Sequence, residues 1–255
     1  MANSLDMRDI ARNALCPAGQ HQDFRKKLDE YGFVVLQPGG ADDRSLDDIM
    51  CELGEPVEYG FGPKLDLQPK EGSDNLQFTT RAMPLHTDGN FNAGPAVRYI
   101  GMYCETAPAV GGETLIASND AFFAQAPADL LADMQGVTIE YRNRIAGYYR
   151  DRADGDHPRV APIQDDPVTG KKRLVIGLTD PEDPMRTHDA AIVGRSAEES
   201  ADLLDRIKTV LHQPSVLYAH KWQVGEVIVQ DNLQVVHGRA AFPDQPRKLV
   251  RLSVA

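Results

Sequence analysis

The chain has few cysteines, no long apolar run and no excess of positive charge. Its three cysteines, Cys16, Cys51 and Cys104, are widely spaced and form no CxxC pair, which excludes a zinc ribbon and a disulfide framework. They read as free thiols of a reducing compartment. No segment approaches the ~18–20 consecutive apolar residues that a membrane-spanning helix requires. Residues 1–20 lack the apolar centre of a signal peptide, so the expected location is cytoplasmic. With 27 basic and 38 acidic residues the net charge is −11, which argues against a nucleic-acid or anionic-membrane surface. Neither an internal repeat nor a low-complexity linker is present. A length of 255 residues and 42% hydrophobic content suit one large domain, 1–255.

What is present is a pattern of short strands with inserted helices. Residues 20–31 are predicted as a helix leading into the buried strand Gly32-Phe33-Val34-Val35-Leu36. Residues 42–53 have helical spacing and stop at Gly54. Strands are expected at 97–104, 113–117, 137–145, 173–178, 216–221, 225–230, 233–237 and 247–254, with helices at 119–125 and 128–134. A longer helix over 197–211 carries the Ser196-x-x-Glu199 capping box and the apolar stripe Leu203, Leu204, Ile207, Val210 and Leu211. The fold class implied is mainly β with helical decoration, a double-stranded β-helix or jelly roll. The Gly- and Pro-rich stretch 57–84 fits either a cover over a site or a plain surface excursion. The acidic, Pro-rich piece 179–184 reads as an exposed loop.

Against this background His86-Thr87-Asp88 and His237 stand out. In extended chain, side chains at i and i+2 point the same way, so His86 and Asp88 can chelate one ion. Two imidazoles and one carboxylate on one face of a metal, with positions left open, form the triad of non-haem Fe(II) oxygenases. His21, His157, His188, His212 and His220 have no carboxylate at such a spacing and read as structural or surface histidines. Arg247 and Arg251 lie four apart in a predicted final strand and so face one side, where two guanidinium groups suit carboxylate binding.

These pieces resemble the TauD/TfdA (taurine dioxygenase-like) branch of the Fe(II)/2-oxoglutarate dioxygenases. The matching residues are His86-Thr87-Asp88, Gly111-Gly112-Glu113-Thr114, Trp222 with Gly225-Glu226 and Asp231-Asn232, His237-Gly238-Arg239, and Arg247 with Arg251. The resemblance implies His86, Asp88 and His237 as iron ligands and catalytic centre. It implies Arg247 and Thr114 as the grip on the distal carboxylate of 2-oxoglutarate, with Arg251 facing substrate or co-substrate. The cofactors implied are Fe(II), 2-oxoglutarate and O2. Asp88 fills the position that halogenating relatives leave open, which implies C–H oxidation without halide incorporation.

Glu58-Tyr59-Gly60-Phe61-Gly62, Gly147-Tyr148-Tyr149, Ile192-Val193-Gly194 and the run Gln213–Trp222 are similar to carbapenem synthase-like members. Gly238-Arg239-Ala240-Ala241 and Gly89-Asn90-Phe91-Asn92 depart from that pattern. The expected partner is a small, anionic substrate contacted by Arg251, Arg239, Tyr148 or Tyr149, in amino-acid or natural-product metabolism. A bicyclic β-lactam acid is one candidate. A zinc hydrolase, a dioxygenase acting on a protein and a non-catalytic cupin-like metal protein are competing readings. The sequence leaves a homo-oligomer open.

Overall fold

The computed structural model describes residues 6–59, 62–89, 97–144 and 157–255. The described strands are β1 (Leu15–Cys16), β2 (Phe33–Leu36), β3 (Lys64–Leu67), β4 (Met83–His86), β5 (Tyr99–Thr106), β6 (Thr114–Ser118), β7 (Ile139–Asn143), β8 (Arg159–Val160), β9 (Ile163–Asp165), β10 (Lys172–Leu174), β11 (His188–Ile192), β12 (Leu217–His220), β13 (Val227–Asp231), β14 (Val235–Arg239) and β15 (Lys248–Val254). The helices are α1 (Met7–Asn13), α2 (Phe24–Tyr31), α3 (Leu46–Cys51), α4 (Asn119–Gln125), α5 (Ala128–Met134) and α6 (Ala197–Leu211).

A six-stranded sheet of order β1-β2-β13-β5-β15-β3 faces a four-stranded sheet of order β12-β6-β14-β4. Strand periodicity explains how both faces of the larger sheet are buried. Phe33, Val35, Ile100, Met102, Ile228 and Leu249 point inward and meet Ile116, Val235 and Trp222 of the smaller sheet's side. The intervening Val34, Leu36, Val227, Val229 and Leu252 point outward and are covered by Phe24 and Leu28 of α2 and by Leu46, Ile49 and Met50 of α3. The outer side of the smaller sheet is covered by α4, α5 and α6 together with β7 and β11. The result is the jelly roll expected from the sequence.

Local chemistry sets the element ends. Ser196 and Glu199 form both halves of the capping box that starts α6. Gly32 ends α2 with φ 77°, in the left-handed region. Where 42–53 was expected as one helix, α3 covers only Leu46–Cys51, because the Ser45 side chain accepts from Asp48 N and begins the helix there. The expected 20–31 helix starts as a 3-10 turn at His21–Asp23 before α2. α1, β1, β8, β9 and β11 lie outside the elements that the sequence pattern predicts. β1 and β8 are two-residue strands, too short for a periodic pattern. β11 pairs with β7 but reads His188-Asp189-Ala190-Ala191-Ile192, with little β propensity of its own.

One contact brings the two site-bearing strands of the smaller sheet into register. His237 on β14 pairs with His86 on β4, with a register irregularity between His237 and Arg239. Gly238 lies between them, where a Cβ would sit 2.6 Å from Met83 O. A backbone oxygen cannot move aside without separating the strands. Gly238→Ala is therefore expected to destabilise the fold by ~1–3 kcal/mol, the usual cost of overpacking. Urea unfolding at unchanged m-value measures this, and a wild-type midpoint would show that β4 tolerates the displacement.

Candidate active site

β4 ends at His86, and Asp88 lies at the start of the turn that follows, with its carboxylate toward the His86 ring. Two devices hold that continuation. Thr87 N donates to Ile176 O at 2.8 Å, joining it to the 174–178 segment. The Asn232 side chain accepts from Asp88 N at 2.9 Å and donates to Asp88 O at 3.0 Å and Val97 O at 2.9 Å. Asn232 thus holds both backbone polar groups of Asp88. From the sequence, Asp231-Asn232 reads as a turn. No local signal tells that its amide reaches residues 135 and 144 positions away.

His86, Asp88 and His237 converge, with one ligand atom from each lying within 4.8 Å of the others. Asp88 Oδ1 lies 3.3 Å from His86 Nε2 and 3.9 Å from His237 Nε2. The second nitrogen of His86, Nδ1, is 2.9 Å from Pro84 O. A proton on Nδ1 satisfies that carbonyl and turns the Nε2 lone pair toward the Asp88 oxygen. Two electron-rich atoms facing each other at this separation fit a cation between them. His237 is buried, and burial, the His86 ring and the Arg251 guanidinium outweigh Asp88 and push it down to about 3, so its imidazole is neutral and able to ligate. Burial raises the Asp88 carboxyl, but Arg251 and the two imidazoles more than offset this and hold it well below the usual carboxylate range. The donor set of two imidazoles and one carboxylate fits a divalent transition metal.

A cavity beside the triad is lined by Thr114, Arg239, Arg247 and Arg251 among polar residues, and by Leu67, Ile100 and Met102 among apolar ones. Arg247 and Arg251 flank inward-pointing Leu249 on β15, as the i, i+4 spacing anticipates. Their partners differ. Arg247 is only 4% exposed. Its Nε donates to Gly112 O at 3.1 Å, and among the described residues it makes no ion pair. Burial lowers it to about 10, still charged at neutral pH. The Gly111-Gly112 turn is shaped around it: both have positive φ, and a Cβ on Gly112 would lie 3.0 Å from Arg247 Cδ and Nε. Arg251 instead pairs with Asp88 Oδ2, the oxygen turned away from the imidazoles, and donates from Nε to Ser253 Oγ at 3.1 Å. It lines the cavity while orienting Asp88 so that Oδ1 faces the histidines.

Thr114 begins β6, and its Oγ1 accepts from Trp222 Nε1 at 3.0 Å. Because that lone pair is used, the hydroxyl proton is free to point into the cavity. Behind this pair, His220 Nε2 lies 2.9 Å from Glu226 Oε2 and His220 Nδ1 lies 2.9 Å from Tyr218 OH. His220 therefore has the carboxylate partner that its sequence spacing did not suggest. His188 is buried beside Tyr141, as a structural histidine should be. Tyr148 and Tyr149 lie outside the described residues.

Arg239, expected near the substrate, lines the cavity but is tied mainly to backbone. Its guanidinium borders the cavity, but Nη1 donates to Gln77 O at 2.9 Å and Nη2 to the carbonyls of Leu76, Thr79 and Arg81 at 3.1, 2.8 and 2.7 Å. A group with this many backbone acceptors has little left for a ligand. Its consequence is structural: together with Phe242 N, which donates to Thr80 O at 3.0 Å, and the Arg81–Asp183 ion pair, it anchors the 76–81 segment, which supplies Gln77 to the cavity wall.

The sequence matches the family described as taurine catabolism dioxygenase TauD, TfdA family over residues 8–253. The chain belongs to this family of dioxygenases. It is similar to the tyrosine isonitrile desaturase of Pseudomonas aeruginosa, 28% identical over 84% of this chain and 73% of that protein. It is also similar to the alpha-ketoglutarate-dependent 2,4-dichlorophenoxyacetate dioxygenase of a Burkholderia species, 28% identical over 65% of this chain and 55% of that protein. In fold it resembles the crystal structure of PvcB from Pseudomonas aeruginosa, with TM-score 0.71 and 23% identity over 91% of this chain and 79% of that one. PvcB is described as an Fe, alpha-ketoglutarate dependent oxygenase from an isonitrile synthetic pathway.

Arg239→Ala is expected to lower stability by about 2–4 kcal/mol, since each buried acceptor left without a donor costs ~1–3 kcal/mol and water rescues part of it. Amide exchange at Phe78 and Thr79 should accelerate. Wild-type protection of those amides in the variant would refute the assigned anchor.

Proposed function

We propose that the protein is an Fe(II)- and 2-oxoglutarate-dependent oxygenase that oxidises a C–H bond of a small, carboxylate-bearing substrate. In this reading His86, Asp88 and His237 hold the iron, and Arg247 with Thr114 holds the distal carboxylate of 2-oxoglutarate. The observation that carries it is the pairing of an electron-rich His-Asp-His cluster with a buried Arg247 that makes no ion pair among the described residues, on one cavity. A buried cation without an anion is costly unless a ligand supplies one. When bound, iron with 2-oxoglutarate and O2 supplies the oxidising power for C–H cleavage through loss of CO2 and formation of succinate.

The chain's own residues position and isolate. Asn232 and Arg251 together set the plane of the Asp88 carboxylate from its backbone side and its outer oxygen. Trp222 directs the Thr114 hydroxyl toward the co-substrate. Leu67, Met83, Ile100 and Met102 give the cavity an apolar wall suited to a hydrocarbon or aromatic body. The 57–84 segment, anchored by Arg239, is read as the cover that excludes water. Arg251, which lines the cavity while paired with Asp88, is read as the cation that a substrate carboxylate would meet. The relatives named for tyrosine isonitrile and 2,4-dichlorophenoxyacetate support an acid with an aromatic or apolar body. They favour it over a bicyclic β-lactam acid, and they support a role in natural-product biosynthesis.

Arg247→Ala should raise the 2-oxoglutarate KM by ~30-fold or more, the lower end of the ~2–5 kcal/mol expected for losing a buried charged partner. Titration of 2-oxoglutarate against succinate release checks this, and an unchanged KM would sink the assignment. His237→Ala should lose iron binding and succinate release together. The substrate class is tested by succinate release with Fe(II), 2-oxoglutarate and a panel of small acids matched with their amides or esters. Turnover stimulated only by the neutral members would overturn the carboxylate requirement.

A further inference from the structure

A second cluster of donors lies away from the cavity, where the turn before α2 meets the loop between β2 and α3. His21, Asp42 and Asp43 each bring one ligand atom within 4.8 Å of the others. His21 is only 3% exposed. Its Nε2 lies 2.8 Å from Gln37 O, so the ring proton belongs on Nε2 and the Nδ1 lone pair faces the carboxylates. Nδ1 and Asp42 Oδ1 are both buried and have no hydrogen-bond partner. An isolated buried carboxylate oxygen beside an imidazole lone pair is a costly arrangement without a cation. Among the described residues no Lys or Arg pairs with Asp42 or Asp43; their hydrogen bonds come from His21 N, Gly39 N and Gly40 N.

These backbone bonds also build the site. Asp42 Oδ2 accepts from His21 N at 2.7 Å, which leaves Oδ1 as the free oxygen. Asp43 Oδ2 and Oδ1 accept from Gly39 N at 2.7 Å and Gly40 N at 2.9 Å, fixing that carboxylate on its loop. The two loops touch at glycines: a Cβ on Gly40 would run into Gly19 N and lie 2.6 Å from Asp42 Oδ1. The donors are therefore held apart by backbone rather than free to collapse onto one another. Asp43 is exposed, so the site opens to solvent on one side.

We propose that His21, Asp42 and Asp43 form a second divalent-metal site, of the imidazole–carboxylate type suited to Zn²⁺, which clamps the segment after β1 to the β2–α3 loop. One imidazole nitrogen and two carboxylate oxygens match zinc's accepted donors, with water completing the shell. The ion sits outside the jelly-roll interior and its role is structural. It ties down the edge of the larger sheet, where β1 pairs with β2 for only two residues.

The test is zinc stoichiometry of the full chain by equilibrium dialysis and elemental analysis, in the wild type and in the His86→Ala/His237→Ala background. Adding His21→Ala should remove about one equivalent of zinc per chain in either background. Comparing each background with and without His21 keeps the result independent of the cavity triad. Asp42→Asn preserves the acceptor for His21 N and should weaken this equivalent ~10-fold or more. Zinc should also raise the unfolding midpoint of His86→Ala/His237→Ala, and Asp42→Asn should abolish that rise. A folded Asp42→Asn variant that keeps full zinc stoichiometry and the same thermal shift overturns the proposal. So does a His86→Ala/His237→Ala protein that binds no zinc.

Discussion

The approach of β4 to β14 is the constraint on which the rest of this molecule depends. It sets His86 opposite His237 and is made where Gly238 removes the side chain that would strike Met83 O. Once those backbones touch, Asp88 has little choice of place. Asn232 takes both its backbone groups, and the Thr87 N–H joins the 174–178 segment. The three ligand atoms are thus positioned by strand pairing and backbone hydrogen bonds. Side-chain rotamers contribute only the last turn of each ring and carboxylate.

The electrostatics follow from burial. The chain is acidic overall, yet Arg239, Arg247 and Arg251 border one small cavity. Each guanidinium has a different solution to its desolvation. Arg239 uses backbone carbonyls, Arg251 uses the Asp88 carboxylate, and among the described residues Arg247 has the Gly112 carbonyl and the face of the Phe242 ring. This division of labour separates structure from binding. The cation with the fewest internal partners among the described residues is the one proposed to take an anionic ligand, and the one with most is a strut for the cavity wall. Thr114, turned by Trp222, completes the polar end, and the apolar residues opposite it give the cavity two chemically distinct ends.

Much of the fold was legible locally. α4, α5 and α6 coincide with the expected helices because capping residues and helical periodicity act within a few positions. The long strands were visible for the same reason. α3 was overextended because helical spacing continues into residues that Ser45 excludes. β11 was missed because its pairing with β7 compensates for a poor strand sequence.

The same division holds at the site. Sequence alone determined the donor chemistry, since His86, Asp88 and His237 are recognisable from residue type, an i, i+2 spacing and strand context. It also determined that Arg247 and Arg251 share a face, because strand geometry repeats every two residues. Only the tertiary structure decided what each cation does, because a guanidinium's partners come from segments more than a hundred residues away. Asn232 and Trp222 gained their contacts in the same way. No local pattern encodes a hydrogen bond closed by chain crossing; it exists only once two packed sheets and the loops at their edges have brought the groups together.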